Sequence, residues 1–202
     1  MGNGQNGVNV KHVNEKIDIG LPPYDPHQMI ELNPTLFDLP HDEVKLYGLQ
    51  ALTYGSLTER GLKTIMKHLE LYIPEDKIDG FDLGCGDGEL IYHLQTQMPG
   101  SKWEGVEISQ HRVDQQARDV TIWQGDMLKE SYKPYNVLHA DNLCLDDHTA
   151  DLLEQKIADE FSGVYMTYRT PQNMKFLKKS TFLETVLTET TWTNHNIHFY
   201  LI

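Results

Sequence analysis

A chain of 202 residues is long enough to bury one complete core and matches a single domain of about 100–200 residues. No apolar run approaches the roughly 20 residues that span a bilayer, and Met1 to Lys16 are polar where a secretory leader needs an apolar stretch, so a soluble intracellular protein with no membrane partner is expected. A formal charge of −13 works against general affinity for phosphate backbones, which Lys and Arg drive by displacing counterions, and makes a basic partner easier to accommodate.

Residues 1–20 are polar and glycine-rich without periodicity and read as a flexible tail. An extended strap is expected over residues 21–57, because Pro22, Pro23, Pro26, Pro34 and Pro40 interrupt any helix as far as His41. The folded domain then occupies residues 58–202. Leu62, Ile65, Met66 and Leu69 form one apolar helical stripe, and Ser56 with Glu59 fits a capping box, so a helix is expected from about Thr58 to Glu70. Strand and helix periods then alternate: strand Ile78 to Leu83, helix from Glu89, strand Trp103 to Ile108, helix Gln110 to Arg118, strand Val120 to Trp123. That is a βαβαβ half of a doubly wound sheet. A strand at Asn136 to Ala140 leads to a helix near Thr149, whose buried face is read as Leu152, Leu153, Ile157 and Phe161, and a strand at Val164 to Tyr168 follows. The cationic stretch Arg169 to Lys179 reads as a solvated segment in preference to a docking patch. Residues 183–202 read as two β segments around Thr193-Asn194, a terminal hairpin.

The chemistry is concentrated at the ends of the strands. Asp82-Leu83-Gly84-Cys85-Gly86-Asp87-Gly88-Glu89 sets glycines at alternate positions, directly after a strand and directly before a helix. Glycine lets the backbone turn with positive φ and lets a ligand approach where a Cβ would clash. A dinucleotide loop reads GxGxxG and carries a pyrophosphate; this one reads GxGxG, and Asp82, Asp87 and Glu89 repel phosphate while suiting a ligand with sulfonium and ammonium groups. Glu107 closes the next strand at the spacing where an acid accepts both ribose hydroxyls. After the third strand, Asp126 is placed to accept from an adenine amino group, with Met127 covering the ring. Cys85 and Cys144 form no CxxC pair, and none of the histidines, including His139, His148, His195 and His198, has a metal spacing, so no metal is expected and the histidines read as solvated or hydrogen-bonded.

These residues resemble the motifs of the class I S-adenosylmethionine methyltransferases, which implies a Rossmann-like α/β domain over residues 58–202: a mostly parallel seven-stranded sheet, helices on both faces, and a C-terminal antiparallel hairpin. More narrowly, Tyr54-Gly55-Ser56-Leu57-Thr58, His139-Ala140-Asp141-Asn142-Leu143-Cys144-Leu145 and Thr191-Trp192-Thr193 to Phe199-Tyr200 resemble the catalytic domain of the disruptor-of-telomeric-silencing (Dot) family, the non-SET histone lysine methyltransferases. The resemblance implies S-adenosyl-L-methionine as cofactor, bound by Tyr54, Thr58, Asp82, Gly84, Gly86, Glu89, Glu107, Asp126, Met127 and Asp141, with Tyr54 and Thr58 in a loop covering its amino-acid end. It implies a catalytic group of Asp141, Asn142, Phe199 and Tyr54, and a lysine channel walled by Leu143, Leu145, Trp192 and Phe199.

The partner so implied is a basic protein, a histone or nucleosome, with weak intrinsic affinity for nucleic acid and a nuclear location if the substrate is chromatin. The chain departs from the family at Asp141, where a paired Asn-Asn is usual, at Leu143 and Leu145, where phenylalanines are usual, at Phe199, which falls where a tyrosine is usual, and at Glu89, usually a glutamine. Methyl transfer is an in-line displacement that needs positioning, desolvation and a neutral amine. A lysine with a pKa of about 10.4 must first lose its proton, and a carboxylate at Asp141 either accepts it or holds the ammonium form. Two alternatives stand beside this reading: methylation of a small molecule or nucleic-acid base gripped by Asp141-Asn142, and a non-catalytic cofactor-binding module.

Overall fold

The computed structural model describes residues 34–191 and 193–202. The tail expected over residues 1–20, the first part of the strap and Trp192 lie outside these.

Seven strands form one sheet in the order β3-β2-β1-β4-β5-β7-β6. Strands β1 (Asp79–Leu83), β2 (Lys102–Glu107), β3 (Thr121–Gln124), β4 (Val137–Ala140) and β5 (Val164–Thr167) run parallel, while β7 (Asn194–Leu201) pairs antiparallel with both β5 and β6 (Thr181–Glu189). The order reverses between β1 and β4, and in open α/β sheets ligands bind in the crevice outside the carboxyl ends of the strands at that point. Both faces of the sheet are covered. On one, Leu62, Ile65 and Leu69 of α2 (Glu59–Leu69) and Ile91 and Leu94 of α3 (Glu89–Gln97) pack on Trp103, Val137, Met166 and Phe199. On the other, Leu153 and Ile157 of α5 (Asp147–Glu160) and Phe176 of α6 (Met174–Lys179) pack on Phe81, Val106, Leu138 and Tyr165. The short α4 (Gln110–Asp114) follows β2.

Several elements differ from their sequence-based expectation. The strap is not extended throughout: Pro34–Phe37 is a 3-10 turn, and α1 (His41–Ala51) is helical with a kink at Gly48, φ +79°. The prolines end where α1 begins, since the Pro40 carbonyl accepts from Val44 N at 3.1 Å. Because α1 has no buried residue, it leaves no apolar period to read. The cap of α2 is Thr58, whose hydroxyl accepts from Gly61 N at 3.1 Å; Ser56 instead pairs with Thr191 across to the β6–β7 turn. On α5, Leu152 is exposed and its place on the buried face is taken by Glu154. Helix α6 is too short for a period and is started by Asn173, whose side chain accepts from Lys175 N and Phe176 N. Three of the four cations around it are occupied within the molecule: Arg169 pairs with Asp147, Lys175 with Asp159, and Lys179 donates to the Ala158 carbonyl.

Candidate active site

The loop after β1 begins by continuing the sheet, since Gly84 N and Cys85 N both donate to the Val106 carbonyl of β2, at 2.8 and 3.1 Å. It then turns away through positive φ at Gly84 (+91°), Gly86 (+59°) and Gly88 (+82°), and Gly88 caps α3. Gly86 carries the strictest requirement: a Cβ there would lie 2.1 Å from Cε2 of Tyr54, so the ring lies directly on the bare backbone. Tyr54 therefore covers the loop. Its hydroxyl donates to Asp87 Oδ1 at 3.3 Å, and the Arg112 guanidinium stands 5.0 Å from its ring centre.

Glu107 ends β2 beside this loop and is 3% exposed. Its oxygens accept from Gly86 N and Ser109 N, each at 3.0 Å, and Arg112 lies 3.7 Å away. Burial pushes the Glu107 carboxyl above the usual carboxylate range, although the two amides and Arg112 pull the other way. Arg112, absent from the sequence-based site, ties the region together, donating to the Leu36 and Leu52 carbonyls of the N-terminal segment. Glu43 of α1 adds a clamp, accepting from the Ser109 hydroxyl at 2.5 Å and from His111 N at 3.0 Å. At the end of β3, half-buried Asp126 accepts from Leu128 N at 3.0 Å, and Met127 packs against the apolar cluster that holds Val106. The ends of β1, β2 and β3 thus bring Asp82, Gly84, Gly86, Glu107, Asp126 and Met127 to one edge of the sheet.

Other expected residues are turned elsewhere. Glu89 faces Arg118 and His93, at 3.3 and 3.2 Å, and Asp87 is the acid next to Tyr54. Thr58 is buried as the α2 cap and donates to the Glu189 carbonyl, which ties the covering segment to β6. Asn142 is a brace: its Oδ1 accepts from Thr167 Oγ1, Tyr168 N and Arg169 N, and its Nδ2 donates to Tyr165, locking the end of β4 to the end of β5. Of the expected channel walls, Leu143 and Phe199 lie on one face of the sheet and Leu145 on the other, and Trp192 lies outside the described residues. Leu143 packs with the α2–α3 face, Leu145 with the α5–α6 face, and Phe199 is fully buried between His68 and Tyr72, with ring centres 6.3 and 6.1 Å away. Both leucines lie in the turn that follows β4, beyond Ala140, where the two-residue alternation that would keep them on one face no longer applies.

At the β1–β4 crevice, Asp82 and His139 are register partners and their side chains meet at 2.7 Å through Nδ1. Both are 4% exposed. Burial by itself lowers the His139 pKa, but the Asp82 charge, the hydrogen bond to it and the Asp141 charge outweigh burial and hold it above the ordinary histidine value. Asp141 is half-buried just beyond β4, and burial raises its carboxyl above the usual range. The alternation of β4 puts His139 and Asp141 on one side, but only strand pairing could reveal Asp82 as their neighbour.

No protein-family model matches the chain, and no curated protein sequence does. Solved structures match it in architecture. Magnesium protoporphyrin IX methyltransferase (ChlM) from Synechocystis PCC 6803 with bound SAH superposes with a TM-score of 0.57 at 13% identity, covering 85% of this chain and 88% of that chain. An RNA methyltransferase from Salinibacter ruber in complex with S-adenosyl-L-homocysteine superposes with a TM-score of 0.52 at 17% identity, covering 69% and 90%. The fold is that of the Rossmann-like methyltransferases. Within it, the glycine loop, Glu107 and Asp126 of this chain stand at the carboxyl ends of the first three strands, and Asp141 follows the fourth.

Proposed function

We propose that this chain is an S-adenosylmethionine-dependent methyltransferase. The observation that carries the reading is the set of acids at successive strand ends around a glycine loop whose backbone is bare at Gly86, in a fold found in methyltransferases. The residues fit the cofactor. Asp82 and Asp87 suit its cationic amino-acid end, Glu107 its ribose and Asp126 its adenine amino group, while Tyr54 covers the loop and excludes water. When bound, the cofactor supplies an electrophilic methyl group on a sulfonium. The protein holds the acceptor in line near Asp141, whose raised carboxyl suits it to take a proton from an amine.

For the acceptor we infer a lysine amine of a basic protein, a histone being the first candidate. The supports are the Tyr54–Thr58 and Asp141-Asn142 motifs and the charge of −13. A nuclear location belongs to that same inference. The placement of Leu145 on the opposite face from Leu143 and Phe199 favours a second reading, an acceptor other than a threaded lysine chain: a small molecule or a nucleobase. The test has two stages. Melting with S-adenosylmethionine and with its demethylated product is expected to show stabilisation of about 2.7 kcal/mol at 100 times the dissociation constant; no shift with either compound refutes the enzyme reading and the cofactor-binding module alike. A labelled-methyl assay on free histones, nucleosomes, RNA and a metabolite pool then decides the acceptor, and label on RNA or metabolites alone rejects the lysine.

A further inference from the structure

His139 is a buried titratable group that the proposed chemistry does not use. It stands where the strand order reverses, paired through Nδ1 with Asp82, while its other ring nitrogen, Nε2, is buried with no hydrogen-bond partner. The groups around it are unevenly charged. Asp82 faces it from β1, Asp141 from just beyond β4, and Tyr168 from just beyond β5, its ring edge-on with centres 5.8 Å apart. Behind Asp82 lie Cys85, Tyr54, Glu107 and Asp87, with Arg112 offsetting Glu107, and His195 of β7 acts on Asp141. One imidazole therefore serves two nearby carboxylates. A protonated ring leaves that group of three with a single net negative charge and a buried N–H at Nε2 that no acceptor satisfies. A neutral ring keeps the Nδ1–H bond to Asp82, and its bare nitrogen then carries only a lone pair, which is cheaper to leave unpaired than a donor.

We propose that His139 sets the discrimination between S-adenosylmethionine and its demethylated product by giving up its proton in exchange for the sulfonium charge. The inference rests on the cofactor reading above. The two compounds share the ammonium, the carboxylate and the adenosine and differ in the methyl group and the one positive charge it brings, so most contributions cancel when they are compared. A sulfonium placed beside Asp82 and Asp141 does the electrostatic work of the imidazolium and repels it, so the ring loses its proton to solvent as the cofactor binds. After methyl transfer the sulfonium charge is gone and the ring takes the proton back. His139 thereby favours the methylated cofactor as pH rises and the product as pH falls.

Titration calorimetry of each compound at pH 6, 7 and 8, in paired buffers of different ionisation enthalpy, counts the protons released. S-adenosylmethionine is expected to release more than its product near neutral pH. The ratio of the two affinities is expected to shift towards S-adenosylmethionine by up to about tenfold per pH unit across the titration of His139. In His139→Asn, whose amide keeps a donor for Asp82 but does not titrate, the extra proton and the pH dependence of the ratio should both vanish. If that variant fails to fold, the ring-proton NMR shifts of His139 in the wild type with each compound give the same comparison. Equal proton release by the two compounds, an unchanged difference in His139→Asn, or identical ring titration with either compound overturns the proposal. Binding of neither compound at any pH refutes the cofactor reading itself.

Discussion

At the scale of single residues, Gly86 and Glu107 carry the sharpest consequences. Gly86→Ala puts a methyl group 2.1 Å from the Tyr54 ring and holds a φ of +59° that costs an L residue about 1–2 kcal/mol. The ring must leave, breaking its contact with Asp87. A fall of at least about tenfold in S-adenosylmethionine affinity is expected by calorimetry, with the core intact by circular dichroism, because removal of one charge-assisted contact is worth about 1.5–3 kcal/mol. Unchanged affinity would mean that Tyr54 does not cover the ligand. Glu107 has a double role, for it also satisfies Arg112, which is 2% exposed. Glu107→Ala leaves a buried guanidinium without its partner charge and should lose about 3–5 kcal/mol in urea unfolding. Glu107→Gln keeps an acceptor for one amide and should lose less stability while still weakening cofactor binding. Equal loss in both variants would remove Arg112 from the account.

At the scale of elements, the contact that positions the covering segment is α2 against β6. A Cβ on Gly61 would stand 2.0 Å from the Glu189 carbonyl oxygen, and Thr188 Oγ1 donates to the Gly61 carbonyl at 3.2 Å. Replacing a helical glycine by alanine ordinarily stabilises by about 1 kcal/mol. Here the obstacle is backbone and cannot rotate away. Gly61→Ala is therefore expected to destabilise by about 1–3 kcal/mol in denaturant melts, the scale of overpacking; a stabilised variant would show that α2 and β6 are not held this closely. Since Thr58 both caps α2 and bonds Glu189, the displacement should also move Tyr54 and weaken the cofactor.

At the scale of the whole molecule, the ligand-free site stores like charge. Burial raises the carboxyls of Asp87, Glu107 and Asp141, and His139 is held above its ordinary value by Asp82 and Asp141 in spite of burial. Each group whose pKa rises on folding binds its proton more tightly in the folded state. The stability it contributes is complete below its unfolded pKa and is lost as pH rises through its folded pKa. These groups should therefore lower the melting temperature as pH rises from the upper carboxylate range through that of His139, opposed in part by His198, which burial holds below its ordinary value, and Asp141→Asn should flatten part of this slope. Scanning calorimetry between pH 5 and pH 8 measures it, and stability that climbs with pH would contradict the raised values.

Alternation of strand and helix periods was legible in the residues because each element buries one face, and the glycine loop, Glu107 and Asp126 were legible because the ends of consecutive parallel strands stand at regular intervals along the chain. Helix α1 left no such mark, having no buried residue, and α6 was too short to show a period. What only the tertiary structure decided were the relations between distant segments. Asn142 became a brace through Thr167, Tyr168 and Arg169, and Leu143 and Leu145 went to opposite faces of the sheet. Arg112 came to hold Leu36, Leu52 and Glu107 together, and His139 met Asp82 across β1 and β4. The physical reason is that side-chain period reports which face a residue occupies, whereas a partner is chosen by strand order and register, which no local pattern encodes.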